Sequence, residues 1–62
     1  MYFIKEMRTA KKLSQAELAQ RSGVSRATIA YLETHNDAKT STGTLLKIAK
    51  ALGCKVIDIF VA

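Results

Sequence analysis

The sequence predicts an all-α domain of five short helices, and three observations point to it. Apolar residues recur at helical spacing along much of the chain, as Leu45, Ile48, Ala49 and Leu52 do at i, i+3, i+4, i+7. Ser14, Ser25 and Ser41 stand where helices should begin, and Gly23 and Gly53 where they should stop. The 62 residues contain no Pro, no repeat, no low-complexity tract and no linker, so residues 1–62 read as a single domain.

Phe3, Met7 and Ala10 recur at i, i+4, i+7, which predicts a first helix from about Phe3 to Lys12, ending on cations that suit its negative pole. Leu13 links it to "SQAE", where Ser14 as N-cap and Glu17 reaching back form a capping box. The second helix so opened is about eight residues long, and Gly23 stops it by taking the positive φ of a tight turn. Ser25 caps a third helix from Arg26 to about Glu33. The spacing turns Val24, Ile29 and Leu32 inward and Arg26, Ala27, Ala30, Tyr31 and Thr34 outward. "THNDAKT", Thr34 to Thr40, is polar and aperiodic, which predicts a loop. Ser41 caps the fourth and most clearly amphipathic helix. "KVIDIFVA" fits a helical turn through Val56, Ile59 and Phe60 and also suits a strand. The expectation is a short helix to about Phe60 followed by an extended end.

Ten Lys and Arg against five Asp and Glu give a formal charge of +5, which suits a polyanion, either nucleic acid or an anionic membrane. A basic module lying on a membrane would collect its cations on one helix, whereas here they scatter over all the elements. "MYFIKEMR" has too short an apolar run for a signal peptide or a spanning helix, and the lone thiol suits a reducing cytoplasm. Cys54 can form no intramolecular disulfide, and with His35 the only histidine there is no metal set. Cys54 reads as a small hydrophobe. No paired carboxylates, glycine-rich phosphate loop or activated nucleophile can be found, so neither an enzyme nor a cofactor is expected.

The outward face of the third helix carries one cation, one aromatic and two alanines, far less charge than a solvated helix face bears. A short helix, a glycine-containing turn and a second short helix form a helix-turn-helix, whose second helix enters the DNA major groove. "LSQAELAQRSGVSRATIAYLE" closely resembles the Cro/CI/Xre family of phage and bacterial regulators, and "TLLKIAKALG" resembles that family's fourth helix. The resemblance runs from about Met7 to Phe60 and implies a compact five-helix, lambda-repressor-like domain with its motif at about residues 15–34. In its register Ala19 is the small residue at the crossing of the motif helices and Gly23 the turn glycine. The loop differs from common members in having His35 where glycine is frequent and no proline before the fourth helix.

From the resemblance follow double-stranded DNA as the partner and a set of contact residues. Arg26 can present a fork to guanine, while Ala27, Thr28 and Tyr31 are the other base-reading candidates. Gln15 and Ser25, at the starts of the motif helices, and Thr34, His35, Asn36 and Lys39 in the loop are the phosphate-contacting candidates. The family register also implies a structural ion pair between Arg8 and Glu33. Small residues on the third helix then make sense, because they permit close approach to base edges.

With Val56, Ile59 and Phe60 completing the core, Ile57 and Val61 face outward beside Tyr2. An uncovered apolar patch on so small a domain is expected to be an interface, so Tyr2, Ile57, Phe60 and Val61 are expected at the seam of a homodimer. The functional expectation is a cytoplasmic, sequence-specific transcriptional regulator, a repressor that acts by occupying a two-fold operator. The alternative is the antitoxin of a toxin–antitoxin pair, with a protein partner and autoregulatory DNA binding.

Overall fold

Three of the helices start on a serine whose side chain takes up a backbone N–H that the helix leaves unpaired. The computed structural model describes residues 1–61: α1 Ile4–Ala10, α2 Gln15–Ser22, α3 Arg26–Thr34, α4 Thr42–Leu52 and α5 Val56–Ile59. The Ser14 hydroxyl accepts from the Glu17 N–H at 3.0 Å, and the Glu17 carboxylate accepts from the Ser14 N–H at 3.0 Å, closing the capping box. The bond from the Ser14 N–H holds the Glu17 carboxyl below its ordinary value. Ser25 and Ser41 accept from the N–H groups of Thr28 and Thr44, each at 3.1 Å. Gly23, at φ 75°, ends α2 in the left-handed region, and its N–H reaches back to the Ala19 carbonyl at 2.9 Å.

The first helix departs from expectation in both length and phase. It covers Ile4–Ala10 rather than Phe3–Lys12, and its fully buried residue is Ile4, whereas Phe3 and Met7 are half-buried and Ala10 is exposed. Its end is a turn closed by Leu13, whose N–H donates to the Arg8 carbonyl at 3.1 Å while Lys12 takes φ 58°. Leu13 is buried there, so the chain must reverse before it, and the helix cannot run on to Lys12.

Leu18, Ile29, Ile48, Leu52 and Ile59 fill the centre, with α2 packed on both α3 and α4 and α5 closing the end of α4. Ala19, partly buried against this core, lies on the α2 face that meets these neighbours. The last helix stops at Ile59, and Phe60 is already extended at φ −142°. From there the two ends pair antiparallel: Phe3 N–H donates to the Ile59 carbonyl at 2.8 Å and Val61 N–H to the Met1 carbonyl at 2.9 Å, around a Tyr2–Phe60 bridge.

This ladder corrects the expected place of Tyr2. Instead of standing exposed at a seam it is buried, 6% accessible, with its ring centroid 5.1 Å from that of Phe60. Its hydroxyl donates to the Ala38 carbonyl, so a polar tip that burial would otherwise penalise is satisfied by the loop before α4. Phe60 is half-buried beside it, and only Ile57, Val61 and Met1 remain large, apolar and exposed at this end of the molecule.

Arg8 and Glu33 meet across α1 and α3. Arg8 donates from Nε to Glu33 Oε2 at 2.8 Å and from Nη2 to Glu33 Oε1 at 3.1 Å. Its third nitrogen, Nη1, donates to the Leu13 carbonyl at 2.7 Å, tying the turn after α1 to the same group. The Glu33 side chain is 3% exposed and that of Arg8 14%. Burial pushes the Glu33 carboxyl upward, but hydrogen bonds from Arg8 and Gln15 and the charges of Arg8 and Lys5 outweigh it, so it titrates below its ordinary value. The same carboxylate raises the Arg8 guanidinium further above its ordinary value.

Two outcomes follow. Arg8→Ala or Glu33→Ala should destabilise by about 3 kcal/mol, or roughly 10 to 20 °C in melting temperature for a domain this small, with strong coupling in a double-mutant cycle. Arg8→Lys should recover little, because an ammonium cannot make three bonds along fixed directions. As the folded Glu33 carboxyl is depressed, its contribution is complete above the unfolded carboxylate value and is lost as pH falls through the folded one. Thermal melts should therefore be flat from neutral pH down to about 5 and drop below about pH 4. Glu33→Gln should remove part of that drop; an unchanged acid limb would count against the pair.

Candidate nucleic-acid interface

The third helix presents its face because its apolar residues are taken by the core. Ile29 and Leu32 are buried, which turns Arg26, Ala27 and Tyr31 to solvent and leaves Thr28 and Ala30 half-buried at the margins. The only acid on α3 is Glu33, and its carboxylate is turned inward to Arg8 and Gln15. The exposed face therefore has no negative group. Arg26 stands at its first position, directly after the cap.

The phosphate candidates are placed unequally. Lys39 comes alongside the helix, where it lines a shallow groove with Ala27, Thr28, Tyr31 and Thr40. Asn36 borders a depression beside α1 with Lys5, Glu6 and Thr9, and lines another with Lys39 and Thr40. The Ser25 hydroxyl both caps α3 and donates to Thr28 Oγ1 at 2.8 Å, so its proton is already engaged. The Thr34 hydroxyl likewise turns back to the Ala30 carbonyl at 3.0 Å.

Gln15 sits at the first position of α2, and its amide nitrogen donates to Glu33 Oε1 at 3.0 Å. The capping box uses the N–H groups of Ser14 and Glu17, so those of Gln15 and Ala16 are the donors that α2 directs past its own N-terminus. The amide is thereby a brace linking α2 to α3, a contact the sequence offered no signal for. His35, at the C-cap of α3, has its ring against Tyr31, with centroids 4.1 Å apart and planes at 78°. Thr40, on the groove wall beside Lys39, was also missed; only its proximity to the Ser41 cap could have drawn attention to it.

Outside this face the described residues offer little chemistry. No group of His, Cys, Asp and Glu side chains among them could hold a metal ion, and no helix among them is long and apolar enough to cross a membrane. Cys54 is half-buried, and burial pushes its thiol above the ordinary value, away from the thiolate a nucleophile needs.

Comparison with known proteins agrees with the geometry. A family profile described as helix-turn-helix matches residues 4–59, which takes in all five helices. A protein of Archaeoglobus fulgidus, named an uncharacterized HTH-type transcriptional regulator, is 41% identical over 58 residues, covering 94% of this chain and 80% of that protein. With α2, the Gly23 turn and α3 in the matched region, the chain belongs to the helix-turn-helix family of the Cro/CI/Xre type.

Proposed function

We propose that this protein is a sequence-specific transcriptional regulator that inserts α3 into the major groove and represses by occupying a two-fold operator as a homodimer. Family membership places it among DNA-binding regulators rather than enzymes. The observation that carries the finer reading is the inward turn of Glu33: the one carboxylate of α3 is neutralised by Arg8, so no acid on that face would meet the phosphates. Arg26 reads a base, Ala27 and Thr28 allow close approach, and Lys39 with the free N–H groups of α2 grips phosphate on either side.

Dimerisation is supported by the apolar end. Ile57 on α5 is 73% exposed, and Val61, in the extended end beyond α5 and paired through its backbone with Met1, is 50% exposed. Tyr2 belongs to the core at this end, and Phe60, half-buried, packs against it. A C2 pairing through Ile57 and Val61 would repeat α3 about 34 Å away, one turn of DNA, and add the phosphate contacts of both copies.

Selection of bound sites from random duplex DNA at fixed salt tests the whole reading, with a palindrome as the expected result. Arg26→Ala should cost about 1 to 3 kcal/mol and relax preference at one position per half-site. Lys39→Ala should weaken every sequence alike and make the salt dependence shallower by about one unit of slope. Equal losses on operator and random DNA for Arg26→Ala would remove its base-reading role. Ile57→Asp should give a monomer by sedimentation with much weakened operator binding; a variant that stays dimeric would move the seam elsewhere.

A further inference from the structure

We propose that His35 is a positioning residue for Tyr31: its imidazole, held by a hydrogen bond from Nδ1 to the Tyr31 carbonyl, braces the tyrosine ring edge-on and so sets where the phenol meets DNA. The consequence for DNA rests on α3 being the element in the groove, whereas the bracing is a property of the free protein.

Tyr31 is 48% exposed, and an aromatic side chain so placed ordinarily hops between rotamers on the ps–ns timescale. Here the imidazole, four residues on, stands against it at a 4.1 Å centroid distance and 78°, the edge-to-face arrangement aromatic pairs favour. The brace is itself fixed. His35 Nδ1 lies 3.0 Å from the Tyr31 carbonyl oxygen, and because a carbonyl only accepts, Nδ1 must carry the hydrogen. Thr34 Oγ1, 2.9 Å from the same nitrogen, donates to the Ala30 carbonyl and so stands as an acceptor toward the ring. The backbone is held too: His35 N–H donates to the Tyr31 carbonyl, and its carbonyl accepts from Ala38 N–H, each at 3.0 Å.

This arrangement fits poorly with the phosphate contact expected of His35. The Nδ1–H is already engaged at the Tyr31 carbonyl, so that edge of the ring is not free to meet a phosphate. What the ring does present is a rigid wall beside Tyr31. An immobilised phenol gives up less entropy when it docks and reaches one place rather than several, which favours discrimination over general affinity.

Two substitutions separate ring from hydrogen bond. His35→Asn keeps a donor near the Nδ1 position without the ring, and His35→Phe keeps a ring edge without the donor. In the free protein, three-bond couplings and inter-ring cross-relaxation should show one χ1 rotamer for Tyr31 in the parent and in His35→Phe, and averaging in His35→Asn. In site selection, His35→Asn should lose about tenfold discrimination at one base pair per half-site, and no further loss should appear there when Tyr31→Ala is already present. A single Tyr31 rotamer in His35→Asn would overturn the proposal. So would a uniform weakening on all sequences with a shallower salt slope, which is the mark of a phosphate contact. If the parent protein selects no sequence, the reading of α3 falls, and the rotamer measurement still decides the bracing.

Discussion

The Arg8 guanidinium joins parts of the chain that hydrophobic packing alone would leave free to slide. Burial of the apolar core, Leu18, Ile29 and Ile48 among it, supplies most of the drive to fold, but that drive follows area and has little directional preference. The fork of Arg8 is directional: it grips both oxygens of Glu33 on α3 and the Leu13 carbonyl at the end of the first turn. Gln15 then adds the start of α2 to the same carboxylate. Three elements are thus registered on one acid, and the rotation of α3 about its own axis follows from where Glu33 must point. Buried pairs of this kind contribute little net stability against an apolar replacement, so its value here lies in geometry.

That economy also shapes the face offered to solvent. On the proposed DNA-facing helix an exposed acid would be a liability, and α3 carries one nonetheless. Turning it inward removes its repulsion and uses its charge to hold the helix. No buried side-chain polar atom among the described residues is left without a partner, which is what allows an ion pair to sit at the margin of so small a core. The residues left outside are then small or cationic, and Tyr31, the large exception, has His35 against it.

What could be read from the sequence and what could not divides by distance along the chain. The serine caps and the glycine stops involve partners within four residues, and the local chemistry sufficed to place α2, α3 and α4. Only position could be read for the third helix: periodicity tells which residues face out, and nothing in a single sequence says what they touch. Tyr2 was misplaced because its partners are Phe60 and Ala38, at the far end of the chain and in a loop, and an exposed seam was the simplest reading of an apolar terminus. The phase of α1 went wrong because Phe3, Met7 and Ala10 make a regular spacing while Ile4, a single residue, takes the buried place. Arg8 and Glu33, 25 positions apart, could be associated only through family resemblance.

The pairing of the two ends gives this helical domain an unusual folding problem. Helix bundles assemble quickly because most of their contacts are local, yet the Met1–Val61 bond closes a loop spanning 60 positions and can form only after nearly everything between is ordered. The ladder is therefore expected to assemble late and to open before α2, α3 and α4 do. Each such opening frees Tyr2 from Phe60 and from Ala38, and uncovers the apolar flank of Ile59. Hydrogen exchange at Phe3 and Val61 should thus report a sub-global event, separate from the unfolding of α2, α3 and α4.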